Sequence, residues 1–466
     1  MNKFCTNCGH KLPSGVKFCP HCGTRVVDID HTSNYEEDSP IGIDEASSEE
    51  DDDFDSLFEK AKAGDAEAQA LVGLAYFEGE YLPQDYEEAV KWYRKAAEQR
   101  EPHAQLELGY CLFTGQGIPK DEKEGAQWCL KAAEQGNVDA QFVIGECYYK
   151  SIGVPEDKEE AVKWFRKAAE QGLSDAQCRL GKCYHYGIGV PKDDCEAIKW
   201  FQLAAEQNDA EAQRHLGDCF FLGNGVPEDW EEAADWYRKA ADQGDAESQY
   251  MLGNFYYIGK GVHEDYAEAA KWFRKAAEQG DARAQSKLGD LYFSGTGVPK
   301  DGVEAAKWYR KAALQGDVDA QASLGNCYLL GCGVPEDEED AAEWYLKAAE
   351  QGHAYAQGAI AACYLLGKGV QEDVGEALEW FKKAAEQGID FAQFQLGKMY
   401  YMAQFFDEAE KWFKMAAEQG YSEAQGAMDE CYSKNNTPSN NNAEVEKWLE
   451  QAIRLGFDVS DNNYRN

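Results

Sequence analysis

The sequence predicts an all-α fold of about eleven tandem helix hairpins, because three features recur along the chain at one spacing. Ten glutamines lie 36 residues apart, from Gln69 to Gln393. Nine tryptophans keep the same step, from Trp92 to Trp380. The hexapeptide KAAEQG, which first occurs at residues 131–136, returns four times unchanged and several times with small substitutions. A strict period of this length indicates a repeat architecture rather than the few globular domains that 466 residues would otherwise suggest.

The first segment, residues 1–27, has the pattern of a metal site. Cys5, Cys8, Cys19 and Cys22 form C-x2-C-G-x9-C-x2-C-G. Four thiolates held at the corners of a tetrahedron suit one structural Zn²⁺ ion, and a segment this short needs a metal to fold. Iron and a pair of disulfides are the open alternatives.

The second segment, residues 28–55, contains thirteen Asp or Glu residues and no Lys or Arg. Such a composition buries too little apolar surface to offset the entropy of ordering the chain. We therefore predict a solvated, flexible linker, and an acidic recognition arm is the alternative.

The third segment, residues 56–466, contains the repeats, and residues 281–316 show what one repeat holds. Asp281 is expected to cap a first helix that ends at Gly295. Asp301 and Glu304 form a capping-box pattern that starts a second helix, which ends at Gly316. Apolar residues at helical spacing are expected to face inward: Ala284, Leu288, Tyr292, Ala305, Trp308 and Ala312. Because one hairpin cannot bury its own apolar face, neighbouring hairpins must stack.

The repeat resembles the Sel-one-like repeat, a relative of the tetratricopeptide repeat. Its signature reads A-x-Q-x-x-L-G-x-x-Y, then G-x-G-V-P-x-D-x-x-E-A, then W-aromatic-x-K-A-A-E-Q-G, and it extends from about residue 55 to residue 456. The resemblance implies a right-handed α-solenoid whose concave face holds protein partners. Ala361 departs from the pattern at its small glycine, and His263 and Gln371 depart at its loop proline. The cysteine segment is similar to the zinc-ribbon modules that begin many bacterial proteins.

The cysteines of the repeats are expected to be buried thiols. Seven of them lie six residues after the repeat glutamine, a place that Phe255, Leu291 and Met399 fill in other repeats. Some secreted relatives clamp each hairpin with a disulfide, but residues such as Ala97 and Gln105 stand at the matching positions here. Together with the lack of a signal peptide or an apolar run long enough to span a membrane, this predicts a cytoplasmic protein.

The charge balance limits the kinds of partner. The chain has 86 acidic and 46 basic residues, which gives a net charge of −40. A surface of this sign repels phosphate backbones and anionic lipids, so proteins or peptides are the expected partners rather than nucleic acid or membrane. The cysteine segment is basic, however, so a nucleic-acid-binding or regulatory zinc ribbon on a repeat arm is an alternative. Its basic residues are Lys3, Lys11, Lys17 and Arg25.

The sequence carries no catalytic signature. Glycine pairs such as Gly295 and Gly297 follow predicted helices and lack the continuation of a phosphate-binding loop. The histidines of the repeats fall at unrelated repeat positions, and no nucleophile–base grouping or paired-acid motif is present. We therefore expect a non-enzymatic interaction scaffold, with a hydrolase-type enzyme as the less favoured alternative.

A comparison of the repeats predicts where a partner would bind. The residues one, two, five and nine places after the repeat glutamine vary freely, and the last three share one face of the first helix. Phe142, Tyr250 and Phe394 at place one and Met251 at place two are expected to be exposed anchors for a peptide. The alternative is that a variable place simply faces solvent without constraint.

Overall fold

The structure, a computed structural model, describes residues 3–4, 11–12, 48–79 and 81–435. The chain divides into two compact units, Met1–Lys60 and Ala61–Asn466. In the first unit, strands β1 (Lys3–Phe4) and β2 (Lys11–Leu12) pair antiparallel, with Lys3 opposite Leu12 and Phe4 opposite Lys11. Every other regular element in the described residues is an α-helix.

The helices follow one another at nearly constant length and spacing. Their bounds are α1 Ser48–Lys62, α2 Ala66–Glu78, α3 Tyr86–Glu98, α4 Pro102–Thr114, α5 Glu122–Glu134, α6 Val138–Lys150, α7 Lys158–Glu170, α8 Ser174–Tyr186, α9 Asp194–Glu206, α10 Ala210–Leu222, α11 Trp230–Asp242, α12 Ala246–Ile258, α13 Tyr266–Glu278, α14 Ala282–Ser294, α15 Gly302–Leu314, α16 Val318–Leu330, α17 Glu338–Glu350, α18 Ala354–Leu366, α19 Val374–Glu386, α20 Asp390–Met402, α21 Phe406–Glu418 and α22 Ala424–Asn435. The pairs from α2–α3 to α20–α21 are ten repeats, and α22 is the first helix of an eleventh. The second helix expected for that unit lies outside the described residues.

Helix α1 begins inside the segment that we predicted to be a linker. It starts at Ser48, so the last eight residues of 28–55 are helical. Residues 49–53 read EEDDD, and acidic residues favour the first turns of a helix because the backbone there carries a partial positive charge. Residues 28–47 lie outside the described residues.

The helix ends follow the predicted caps. The Asp281 carboxylate accepts a hydrogen bond from the Ala284 backbone N–H, and Gly295 ends α14 in the left-handed conformation with φ 80°. Asp301 accepts from the N–H groups of Val303 and Glu304 at the start of α15. The Glu304 carboxylate accepts a 2.6 Å hydrogen bond from Lys307. The pattern that we interpreted as a capping box therefore works through its aspartate, while its glutamate pairs along the helix.

The two helices of a repeat approach closely at a glycine. A Cβ atom on Gly289 of α14 would lie 2.6 Å from the ring of Tyr309 of α15, closer than real Cβ contacts. The expected inward residues are buried, among them Ala284, Leu288 and Trp308. The small residue of the first helix thus sets the depth to which the aromatic ring of the second helix packs.

A buried glutamine joins three successive helices in each repeat. The Gln285 side-chain amide on α14 donates to the Ala277 carbonyl of α13 at 3.0 Å. Its carbonyl oxygen accepts from the Gln315 amide at the end of α15 at 2.8 Å. Gln315 is the glutamine of the repeat's KAALQG sequence, a variant of KAAEQG. Equivalent pairs occur in the other nine repeats, so the recurring glutamines form a continuous hydrogen-bonded ladder.

The lysine of the same hexapeptide covers the repeat tryptophan. Lys311 Nζ lies 3.9 Å from the ring centre of Trp308, and Lys275 lies 3.7 Å from that of Trp272. This cation–π contact recurs in eight repeats. KAAEQG therefore contributes a lysine over the tryptophan, two buried alanines at the helix contact and a glutamine of the ladder.

Packing is local along the second unit, as expected for stacked hairpins. Each helix from α2 to α22 packs mainly on the helices before and after it. One cluster of buried residues nevertheless extends from Ala269 to Ala403, so the apolar core is shared between repeats. The seven cysteines six places after the repeat glutamine are all buried, as predicted: Cys111, Cys147, Cys183, Cys219, Cys327, Cys363 and Cys431.

Candidate partner-binding face

The first helices of the repeats present a variable face, and it includes one place that the sequence comparison missed. Besides places two, five and nine after the repeat glutamine, the residue two places before it is exposed in all ten repeats. Steps of four, three and four residues put these four places on one side of an α-helix. We call this set of places the first-helix face. The missed place could have been found by extending the same helical spacing one turn toward the helix start.

The four residues predicted as exposed anchors are only half exposed. The rings of Phe142, Tyr250 and Phe394 at place one pack on the core rings of Phe165, Phe273 and Phe413, with ring centres 5.8, 5.8 and 5.5 Å apart. Met251 is also half-buried and packs on the cluster around Phe255. Place one therefore leans toward the core, because the aromatic residue of the second helix lies beside it. A partner contact at these four residues stays a prediction.

In several repeats, the residue at place five accepts a hydrogen bond from a core tyrosine. The Tyr309 hydroxyl donates to Asp290 at 2.9 Å, and Tyr237 and Tyr345 make equivalent bonds to place five of their own repeats at 2.7 Å, to Asp218 and Asn326. The repeats that carry Phe instead of Tyr have Glu146, Lys182, Asn254, Ala362 and Lys398 at this place. Part of the sequence variation at place five therefore depends on whether the core residue of that repeat is Tyr or Phe, and not on a binding partner.

Place nine carries a row of exposed apolar side chains. They come from two groups of three consecutive repeats: Tyr186, Leu222 and Ile258, then Leu330, Leu366 and Met402. Their exposed fractions range from 47% for Ile258 to 67% for Met402. Soluble proteins seldom align several large exposed apolar residues without using them for binding.

Comparison with known proteins identifies the family. The Sel1 repeat model matches residues 66–100, 102–137, 138–173, 174–209, 210–245, 246–281, 282–317, 318–353, 354–389 and 390–421. The chain belongs to the Sel1-repeat family. The zinc-ribbon domain model matches residues 4–26. A comparison with curated proteins gives no match.

Two solved Sel1-repeat structures share the fold over most of their length. One is c5321 of uropathogenic Escherichia coli, described as a protective antigen with an SLR fold, at 35% identity and a TM-score of 0.66 over 86% of this chain and 93% of that one. The other is a Sel1 repeat protein from Oxalobacter formigenes, at 34% identity and a TM-score of 0.53 over 65% of this chain and 87% of that one. The predicted stacking of helix hairpins into an α-solenoid is confirmed.

The middle Sel1 repeats use charge on their first-helix face mainly for internal contacts. Arg179 Nε lies 2.8 Å from a carboxylate oxygen of Glu146, and Lys182 contacts Glu211 of the following repeat at 2.5 Å. Arg214 lies 3.3 Å from Glu247, its nearest carboxylate. These ion pairs join neighbouring repeats. In repeats four to six, the charges next to the apolar row are therefore largely neutralised by one another.

The described residues bring together no arrangement typical of catalysis. Burial raises the pKa of the Cys111 thiol to about 12 and that of Cys327 to about 11, so both thiols are protonated at neutral pH and poor nucleophiles. Within the described part of the chain, no three His, Cys, Asp or Glu side chains are placed to hold a metal ion. Likewise, none of the described helices is both long and apolar enough to cross a membrane.

The predicted zinc ligands belong to residues outside the described ranges. The described strands bracket the first cysteine pair in sequence, because β1 ends at Phe4 and β2 begins at Lys11. Cys5 and Cys8 thus lie in the six residues that connect two paired strands, which is the arrangement expected of a zinc knuckle. Cys19 and Cys22 follow β2 in the sequence.

Proposed function

We propose that this protein is a non-enzymatic cytoplasmic adaptor that binds protein partners through its first-helix face. The family resemblance assigns that face to the concave side of the solenoid. The proposal rests above all on the exposed apolar row at place nine, because six large side chains at one repeat position, in two groups of three consecutive repeats, offer apolar contacts for a polypeptide. A reducing compartment accords with the free thiols of the repeats, among them Cys111, Cys195 and Cys327.

We further propose that Cys5, Cys8, Cys19 and Cys22 hold one structural Zn²⁺ ion. The match of residues 4–26 to the zinc-ribbon domain and the strand pair that brackets Cys5 and Cys8 support this assignment. The ion would stabilise a segment too short to have an apolar core of its own. Catalysis is not assigned to it, since four cysteines would leave no open coordination position.

The proposal is tested by affinity capture from lysate of the source cell with three forms of the full chain. One form is wild type, one replaces the six place-nine residues with serine, and the control replaces Val303, Leu314 and Leu203, which are exposed apolar residues of second helices. We expect wild type and control to retain the same partner and the place-nine form to lose it. Retention by all three would contradict the proposal. Loss by a fragment of residues 56–466 would instead move the function to the zinc ribbon.

A further inference from the structure

We propose that a groove over α18 binds an amphipathic helix whose apolar side is flanked by lysine or arginine. This inference rests on the proposed adaptor function and names one site on its first-helix face. The groove has a floor at Ala359 and Ala362, which are places two and five of the ninth repeat, beside the buried Gly358 at place one. Its walls are five exposed apolar residues: Tyr355, Phe391, Leu330, Leu366 and Met402.

The floor is low because this repeat lacks the bulky residues found elsewhere at the same places. Place one holds Phe142, Tyr250 and Phe394 in other repeats, but Gly358 here. A Cβ atom added to Gly358 would meet only Ala384 and Ala392, at 3.9 and 4.0 Å. Gly358 is itself buried, so the part of the floor that a partner can reach consists of the half-buried Ala359 and Ala362.

The walls are exposed and held in place. Leu366 and Leu330 are each 63% exposed, and Tyr355 is 50% exposed. The Tyr355 hydroxyl donates to Asn326 at 3.0 Å, and the Phe391 ring packs edge-on against Phe381 with centres 6.1 Å apart. Ordered aromatic side chains lose little conformational entropy on binding, which makes them effective anchors.

The width of the groove fits a helix. Tyr355 and Leu366 are eleven residues apart on α18, which corresponds to ~16 Å at ~1.5 Å per residue. A helix with its side chains is ~10–12 Å across, so it can lie between the walls and touch both.

Charge selects among helical partners. Helix α18, with the sequence AYAQGAIAACYLL, contains no charged residue, although the chain has a net charge of −40. At the edge of the groove, the Asp319 carboxylate is 81% exposed and lies 3.3 Å from His353. An apolar helix flanked by basic residues would bury its apolar side in the groove and be attracted by the surrounding field. A second copy of the chain, also at −40, would be repelled.

The test measures binding of a fluorescent 18-residue peptide of leucine and lysine in an amphipathic-helix pattern to the full-length chain, by anisotropy. Two variants alter the groove: Tyr355→Ala with Leu366→Ala removes walls, and Ala359→Met fills the floor with the residue that the sixth repeat carries at the same place. The matched control is Val303→Ala with Leu314→Ala, which are exposed apolar residues of the second helix α15. We expect both groove variants to bind about ten-fold more weakly than wild type and the control to be unchanged. Thermal unfolding confirms that each variant is folded.

Several outcomes would overturn the groove assignment. These are equal loss in the control, unchanged binding in both groove variants, equal affinity for a peptide with glutamate in place of lysine, or equal affinity for one interrupted by proline. If sedimentation shows a dimer and Leu366→Ala dissociates it, the groove binds a second copy of the chain. That result would also overturn the assignment to a basic amphipathic helix. If capture in cells depends on Tyr186, Leu222 and Ile258 while the groove variants bind the peptide normally, the adaptor function stands and the groove assignment fails.

Discussion

At the scale of single residues, four repeats carry a core tyrosine directly after the repeat tryptophan, and the hydrogen bonding of that tyrosine depends on its neighbour on the first helix. The Tyr309 hydroxyl donates to Asp290 at place five of its repeat. The equivalent Tyr93 belongs to a repeat that has Leu74 at place five, and a leucine side chain cannot accept a hydrogen bond. The buried Tyr93 hydroxyl has no hydrogen-bond partner among the described residues. The buried tyrosine hydroxyl therefore has a hydrogen-bond acceptor in one repeat, whereas in another its burial without one lowers stability.

The two tyrosines predict opposite effects of one substitution. Tyr309→Phe removes a buried hydrogen bond and should lower the free energy of unfolding by about 1 kcal/mol. Tyr93→Phe removes a buried hydroxyl without a partner, so it should leave stability unchanged or raise it by about 1 kcal/mol. Urea unfolding followed by circular dichroism measures both. Equal destabilisation by the two variants would contradict the assigned contacts.

Glu107 predicts a pH-dependent contribution to stability. Burial, with smaller effects of Asp139 and Glu78, raises the pKa of its carboxyl to about 7. Between pH ~4.5 and ~7 the folded chain therefore keeps a proton that the unfolded chain loses, so this group's contribution to stability falls as pH rises through that interval. Glu107→Gln should gain on the order of 1–3 kcal/mol relative to wild type between pH 4.5 and 7.5.

Glu211→Gln is the matched control for Glu107. Although burial opposes it, the hydrogen bond and charge of Lys182 lower the pKa of Glu211. Its charged form is therefore favoured by folding, and the substitution should cost stability at neutral pH and less in acid. Urea unfolding of both variants at about pH 4.5 and about pH 7.5 measures these changes in stability. A difference from wild type that does not change with pH would refute the Glu107 prediction.

At the scale of helices, the glutamine ladder explains how successive helices of a weakly apolar repeat stay aligned with one another. Each ladder glutamine holds a helix on either side of its own, so the contact fixes both the hairpin and its junction with the previous repeat. The alanines at the helix contact allow the close approach that these short bonds need.

Gln285→Ala tests the ladder. The substitution leaves the Ala277 carbonyl and the Gln315 amide without their partner and should lower the free energy of unfolding by about 1–3 kcal/mol. Gln425→Ala is the control, because Gln425 has the same repeat place in the eleventh unit but is exposed, and its side-chain amide donates to Asp429 at 3.2 Å rather than to a neighbouring helix of the described residues. If thermal unfolding shifts equally in both variants, the ladder is not the source of the loss.

At the scale of the whole molecule, stability comes from the stack rather than from one repeat. The buried cluster from Ala269 to Ala403 passes through successive hairpins without a break. In such an array, nearest-neighbour contacts supply most of the stability. The proposed zinc segment belongs to the first compact unit, Met1–Lys60, and the repeats belong to the second, Ala61–Asn466. We expect the repeats to stay folded when the metal is removed.

Metal removal provides the corresponding test. We expect one zinc ion per chain by elemental analysis and, after chelation, a helical circular dichroism spectrum that is nearly unchanged. Cys5→Ser with Cys22→Ser should abolish the zinc, whereas Cys195→Ser, which removes an exposed thiol of the repeats, should retain it. A large loss of helix on chelation would show that the repeats depend on the metal.

The sequence by itself determined the repeat period, the helix ends and the buried places. These follow from short-range chemistry: Asp281 caps its own helix, Gly295 ends it, and the place that holds Cys327 is shared with apolar residues elsewhere. The same locality explains why a match to the Sel1 repeat follows from the sequence alone.

Only the tertiary structure decided which variable residues reach the surface. Phe142 and Phe394 leaned onto core rings of the neighbouring helix, while Tyr355 and Leu366 remained exposed, although all four stand at variable places. Exposure at such a place depends on the residue packed opposite it, often dozens of positions away along the chain. The low floor at Ala359 and Ala362 is likewise evident only from the structure, because the sequence alone does not tell how much of each alanine the neighbouring helices cover.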